Sequence, residues 1–154
     1  METGKLKQVK IDFGGGKANK FEGFQKCDIL TGDDIIFGGV DFEKDTLPFE
    51  NESVDEAACS HTLEHIRNTR HFLNELHRVM KKDAVIRFIV PYGTWVGSYK
   101  PVHVNQITEC WFDFLRKKNS TSVYGYKRWD IKELVFKRTK EGEIYELEAF
   151  LTKL

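Results

Sequence analysis

Proline and methionine are scarce in this chain of 154 residues, at three and two, and there is no net charge: 24 basic side chains balance 24 acidic ones. Each shortage excludes something. A neutral balance argues against a broad nucleic-acid footprint and against an anionic membrane surface as partner. No apolar run approaches the roughly 20 residues that span a bilayer, and no basic start leads into the apolar stretch of a secretory signal. The three cysteines, Cys27, Cys59 and Cys110, are an odd number without paired spacing. They predict no disulfide framework and suit a reducing cytoplasm. Repeats, low-complexity tracts and internal linkers are also missing, so residues 1–154 read as a single domain long enough to bury a sizeable core.

What is present is ordinary in bulk and uneven in detail. Hydrophobic residues make up 40% and charged residues 31%, a common soluble composition. The stretch from Asp28 to Glu56 is acidic, with Lys44 its one base. Arg116 to Lys140 is basic, with Asp130 and Glu133 its acids. Such runs are mostly solvated faces, and the sharper reading of the second is a grip on an anionic substrate.

Hydrophobic patterning alternates strand and helix. Val9 to Phe13, Phe24 to Leu30, Ile35 to Val40 and Val54 to Ser60 read as strands, the last weakened by its acids and alanines. Asn68 through Met80 is the clearest helix, with Phe72, Leu73, Leu76, Val79 and Met80 on one stripe and Asn68 as N-cap. Ala84 to Val90 is nearly all apolar, as in a central strand covered on both faces. A Gly/Pro/aromatic loop follows over 91–106, then a short helix over Ile107 to Leu115. Ile131 to Thr139 and Glu143 to Thr152 flank Lys140-Glu141-Gly142, a hairpin signal. The expected fold class is α/β: a Rossmann-like, mostly parallel sheet with an antiparallel C-terminal hairpin strand. Gly15, Gly16 and Gly23 leave no room for a full helix between the first two strands, so that crossover is expected to be a loop or a single turn.

Chemistry gathers at the predicted strand ends, where open parallel sheets bind ligands. The first ends in Asp12-Phe13-Gly14-Gly15-Gly16, a strand breaking into a turn whose backbone can approach a ligand. The second ends in Asp28-Ile29, where a carboxylate can accept both hydroxyls of a ribose. The third ends in Asp41-Phe42 and the fourth in Ser60-His61. Each acid alone reads as a surface residue or a cap; their repetition at strand ends is the signal.

The series VKIDFGGG, GFQKCDI, DTLPFENESVDEAACSHTLEHI and FLNELHRVMKKDAVIRFIVP resembles the class I S-adenosylmethionine-dependent methyltransferases, in their small branch with a shortened first crossover. The likeness covers roughly residues 8 to 91, and its Leu-Pro-Phe, Ser-Val-Asp and Leu-Glu-His-Ile elements (Leu47 to Phe49, Ser53 to Asp55, Leu63 to Ile66) are more specific than the glycine turn. It implies S-adenosylmethionine as cofactor and direct in-line methyl transfer to a small-molecule or other acceptor. Gly14 and Gly16 would lie at its methionyl part, Asp28 at the ribose and Ile29 on the adenine, with Asp12 a further cofactor-binding candidate. Asp41 and Phe42 would flank the adenine, and Ser60 and His61 would lie near the sulfonium. Ala18 replaces a frequent third glycine, and Lys81-Lys82-Asp83-Ala84 replaces a Lys-Pro-Gly-Gly turn, leaving Asp83 to make it. The spacing from Asp41 to Leu47 is long for the family, which makes Asp45 the fallback for Asp41.

On the acceptor side, His103 is the candidate base or substrate contact, and Tyr92, Trp95 and Tyr99 are candidate pocket walls. His61-Thr62-Leu63-Glu64-His65 also satisfies H-x-x-E-H, a zinc-hydrolase signature, provided both histidines share a helix face. In the methyltransferase reading Glu64 and His65 are structural and no metal is expected. A catalytically silent cofactor-binding or interaction module is the remaining alternative.

Overall fold

Alternating apolar positions along the strands put two kinds of face on one sheet. The computed structural model describes residues 7–18 and 20–154. Its six strands run in the order β2-β1-β3-β4-β6-β5: β1 Lys10–Phe13, β2 Gln25–Cys27, β3 Val54–Ser60, β4 Met80–Pro91, β5 Trp129–Arg138 and β6 Ile144–Lys153. β2, β1, β3 and β4 pair in parallel, and β6 lies antiparallel between β4 and β5. This is the expected mostly parallel sheet with its C-terminal hairpin. The hairpin closes where Gly142 takes φ of 92° and Thr139 N–H donates to the Glu143 carbonyl.

One face carries the core. Helix α1, Thr69–Val79, buries Phe72, Leu73, Leu76 and Val79 against Ile11, Phe13, Ala57, Cys59, Ile86 and Phe88. Asn68 caps it, its side-chain oxygen accepting from His71 N–H at 3.3 Å. Two side chains of α1 also hold the Leu-Pro-Phe segment. Glu75 accepts from Leu47 N–H at 2.8 Å, while Arg78 donates to the carbonyls of Leu47 and Phe49. Asp55 ties the start of β3 to its neighbours by accepting from Val9 N–H and from Lys81. Asp83, at φ of 64°, makes the bend inside β4 that a glycine would otherwise supply. Two short helices, α2 Glu109–Phe114 and α3 Lys118–Ser122, complete the cover before β5.

Three expected elements come out smaller. The strand over Ile35 to Val40 is absent. Two isolated bridges remain, Cys27 to Phe37 in parallel and Gly32 to Ile35 antiparallel, because Gly38 packs so closely on Leu30 that a Cβ would lie 2.9 Å from its carbonyl oxygen and Gly39 turns at φ of 75°. β2 is shorter than Phe24 to Leu30, because the Asp28 carboxylate accepts from Leu30 N–H and bends the chain. The Ile107 to Leu115 helix contracts to α2, and α3 had no periodic signal to announce it. The first crossover is, as expected, a set of turns. No helix among the described residues is long and apolar enough to cross a membrane.

Candidate cofactor and acceptor site

The carboxyl ends of β1, β2 and β3 meet around a cavity of about 350 Å³. Gly14, Asp28, Ile29, Asp41, Phe42 and His61 line it, as do Thr62, His65 and Ile66, which the strand-end pattern did not single out. The glycine turn is fastened on both sides: Gly14 N–H donates to the Cys27 carbonyl and Gly16 N–H to the Asp28 carboxylate, each at 2.8 Å. Gly14 has φ of 78°, and a Cβ there would sit 2.1 Å from the Thr62 hydroxyl. Only glycine lets the end of β1 pack against the turn after β3.

Asp28 is buried, and its two backbone donors leave acceptor positions on the carboxylate for hydroxyls. Beside it Ile29 is 60% exposed, an apolar surface with nothing packed on it. Asp41 reaches the cavity, while Asp45 does not line it and instead accepts from Asp41 N–H at 2.8 Å. Backbone donation from Glu43 N–H holds the Asp41 pKa below its usual value. Phe42 stacks on Phe72 at 4.7 Å, so the cavity wall rests on the helical core.

Asp12 lies directly under the turn, where a Cβ on Gly15 would meet its carboxylate at 2.1 Å. It is 2% exposed, and its Oδ1 has no hydrogen-bond partner. Burial pushes its pKa up to about 6, against the pull of Lys26 and Lys20. Ser60 and Gly16 do not line the cavity. The Ser60 hydroxyl points to the other sheet face and accepts from Lys20 at 3.1 Å.

A second cavity of about 530 Å³ adjoins the first, and the two share His61 and His65. Glu64, Trp95, Lys100, His103 and Glu146 are among its other walls. His61 sits at φ of 50°, a left-handed conformation rare for a side chain of this size, held by donation from its N–H to the Ile89 carbonyl. The Glu64 carboxylate, 3.5 Å from its ring, and Glu146, at 3.0 Å, raise the pKa of that imidazole. His103 and Trp95 line this second cavity. Tyr92 and Tyr99 do not. The Tyr92 hydroxyl donates to Glu109 at 2.8 Å and its ring packs on Phe136, while Tyr99 is exposed outside both cavities.

The H-x-x-E-H segment is not on an α-helix: only Leu63–His65 form a single 3-10 turn, so the hydrolase reading loses the helix it needs. Glu64 and Asn105, absent from the expected site, organise this corner. The Glu64 carbonyl accepts from Val104 and Asn105 N–H, and the Asn105 amide donates to the carbonyls of Leu63 and Ile66. The H-x-x-E-H spacing was the signal that pointed at Glu64.

Residues 14–88 match the family described as a methyltransferase domain. No curated protein matches the sequence. Among solved structures, an S-adenosylmethionine-dependent methyltransferase from Methanosarcina mazei superposes with a TM-score of 0.64 at 17% identity, over 97% of this chain and 94% of that one. One from Archaeoglobus fulgidus gives 0.64 at 16%, over 95% and 86%. The 4+2 cyclase SpnF gives 0.66 at 12%, over 95% and 74%. S-adenosylmethionine is the cofactor that this family implies, and the donor set fits it: free acceptor positions on Asp28 for the ribose, bare Ile29 for the adenine, and the unpartnered acid Asp12 beneath the turn for an amino group. The match over residues 14–88 and the six-stranded, mostly parallel sheet show a methyltransferase domain of Rossmann-like fold, consistent with the class I S-adenosylmethionine-dependent methyltransferases.

Proposed function

We propose that the chain is an S-adenosylmethionine-dependent methyltransferase whose acceptor occupies the 530 Å³ cavity beside the cofactor cavity. When bound, the cofactor supplies a methyl group already activated by its sulfonium. The chain's own task is then to hold, orient and keep out water. Asp28 holds the ribose, Ile29 and Phe42 wall the adenine, and Asp41 flanks it. Gly14 and Gly16 keep the turn close, Asp12 faces the amino group, and His61 stands where the two cavities meet. His103 is the acceptor-side catalytic residue: its Nδ1 is engaged with the Ser98 carbonyl at 2.9 Å, which leaves Nε2 to accept a hydrogen bond from the acceptor. Trp95 offers the acceptor an apolar wall. The acceptor class runs from small metabolites, sugars included, to protein side chains, and the free cysteines suit a reducing cytoplasm.

The observation that carries this reading is the pair of cavities sharing His61 and His65 at the ends of β1 to β3. Calorimetry with S-adenosylmethionine and its demethylated product should show binding by the wild type. Asp28→Ala should weaken it roughly tenfold to a hundredfold, since hydrogen bonds to a charged acceptor are worth about 1.5–3 kcal/mol. Equal affinity in the variant would overturn the ribose assignment. The fold is also carried by a 4+2 cyclase, so firm binding without methyl transfer to any metabolite pool would favour a non-transferring role.

A further inference from the structure

Glu64 is the least explained side chain in the molecule. It is 1% exposed, and neither carboxylate oxygen has a hydrogen-bond partner. Leaving a carboxylate in that state costs several kcal/mol. Protonation does not remove the problem, because a protonated carboxyl needs an acceptor as well. Its nearest charged-capable neighbours stand just too far for a hydrogen bond: His61 Nδ1 at 3.5 Å and His65 Nε2 at 3.8 Å, both from Oε1.

Two imidazoles are set toward it in a particular tautomer. His65 Nδ1 lies 2.9 Å from the Val102 carbonyl, and His103 Nδ1 lies 2.9 Å from the Ser98 carbonyl. A carbonyl only accepts, so each Nδ1 carries a hydrogen, and in the neutral ring each Nε2 keeps a lone pair. The rings meet edge to face at 4.8 Å. One ligand atom from each of Glu64, His65 and His103 falls within 4.8 Å of the other two. His61 adds a third ring: Nε2 donates to Glu146 at 3.0 Å, and Nδ1 lies 3.5 Å from the Glu64 carboxylate. Lone pairs facing an unpartnered buried carboxylate repel it unless a cation lies between them. Second partners that fix ring orientation, here two backbone carbonyls, are what ligating histidines ordinarily have.

We propose that Glu64, His65 and His103 bind one divalent transition-metal ion. Two imidazoles and one carboxylate suit Zn²⁺, Mn²⁺, Fe²⁺ or Co²⁺, whereas Mg²⁺ and Ca²⁺ favour all-oxygen sets. The ligands line the 530 Å³ cavity, so the ion keeps open coordination positions toward it, as catalytic sites do and closed structural sites do not. Resting on the methyltransferase reading, this narrows the acceptor to a hydroxyl compound. The ion would lower the pKa of an acceptor hydroxyl bound to it. The hydroxyl proton would pass to solvent in the open cavity as the methyl group leaves the sulfonium, which becomes the neutral thioether, for the acceptor oxygen. His103 would act through the ion. The H-x-x-E-H segment keeps its metal chemistry without the helix of a hydrolase.

The test uses the untagged full chain, stripped with a chelator and titrated with Co²⁺ by visible absorption and with Zn²⁺ by calorimetry. The expected result is one equivalent bound, with Glu64→Gln and His103→Gln each raising Kd at least tenfold. Asp28→Ala should bind Co²⁺ within about twofold of wild type while losing cofactor affinity. No saturable binding by the wild type, or wild-type affinity in both ligand variants, overturns the proposal. His103 lies on a partly exposed loop, so its variant decides the matter if Glu64→Gln does not fold. Co²⁺ binding without any S-adenosylmethionine binding would sustain the metal site and sink the methyltransferase reading. The reverse pair of results would do the opposite.

Discussion

The two faces of the sheet solve the same problem by opposite means. On one, Ile11, Phe13, Ala57, Cys59, Ile86 and Phe88 disappear under α1 and its neighbours. On the other, the alternate positions mix Lys10, Asp12, Glu56, Ser60, Arg87 and Glu148 with Ala58, Val85, Ile89 and Phe150 across β1, β3, β4 and β6. Parallel sheets usually bury both faces under helices. Here the first crossover is too short to make one, and the vacated face is filled with cross-strand ion pairs: Lys10 with Glu56 at 2.7 Å, Arg87 with Glu148 at 2.6 Å, and Lys137 with Glu148 at 2.6 Å. Lys20 and Phe21, just after the glycine turn, lie against this face. The apolar face therefore fixes the fold. The charged face has only that thin cover, and the glycine turn stands on its buried acid, Asp12.

The largest effect should come from the covered face. Phe72 is fully buried and stacks on Phe42, which in turn walls the cofactor cavity. Phe72→Ala should cost about 3–5 kcal/mol in chemical denaturation, and the slackened Phe42 should weaken cofactor affinity in the same variant. A loss below about 1 kcal/mol would mean the helical layer is less tightly packed than its burial implies.

Legibility in the sequence follows the same division. Helix α1, β3 and the apolar half of β4 were readable because one buried stripe or run dictates each of them. The Leu-Pro-Phe, Ser-Val-Asp and Leu-Glu-His elements were readable as family pattern, and their physical jobs emerge only in three dimensions, where Glu75 and Arg78 pin the first and Lys81 pins the second. Ile35 to Val40 misled because its apolar residues alternate like a strand while Gly38 and Gly39 turn it away after two isolated bridges. Tyr92 was misplaced for another reason: loop aromatics announce burial without direction, and its hydroxyl was claimed by Glu109. The convergence of His103 on His65 was invisible, since it depends on Asn105 holding two carbonyls far away in sequence.

A middle-sized effect separates the two faces by pH. Asp12 belongs to the charged face yet is buried, with Lys26 and Lys20 pulling its pKa down, Asp28 pushing it up, and burial prevailing at about 6. Between its ordinary value of 3.8 and about 6 the folded chain binds more protons than the unfolded one. Stability contributed by this group is therefore full below about pH 4, falls as pH rises toward 6, and is flat above. The ceiling is about 3 kcal/mol, from roughly two units at 1.36 kcal/mol each. Comparing wild type with Asp12→Asn across pH 4 to 7 isolates it. The variant should lack that part of the slope and be the more stable of the two near neutrality. It should also bind S-adenosylmethionine more weakly, having lost the charge beneath the turn. Parallel stability curves for the two proteins would show that Asp12 is ionised in the fold throughout.

The smallest effect is expected at Arg87, although it meets both a carboxylate and two aromatic rings. Its guanidinium holds Glu148 through Nε and Nη2 and lies 5.6 and 5.5 Å from the rings of Phe21 and Phe150. Burial pushes the Glu148 pKa up, and Lys137 and Arg87 together outweigh it and bring it below the usual value. With Arg87 removed, Lys137 still pairs with Glu148, so no buried charge is stranded. Arg87→Met keeps the aliphatic stem between the two rings and removes only the partly exposed charge. The expected cost is about 1 kcal/mol, the range of exposed ion pairs with a small cation–π contribution. Salt should shrink the difference between variant and wild type, since screening acts on the pair and not on the stem. A cost as large as that of Phe72→Ala, unchanged by salt, would erase the contrast between the faces and make the ion-pair ladder a second core.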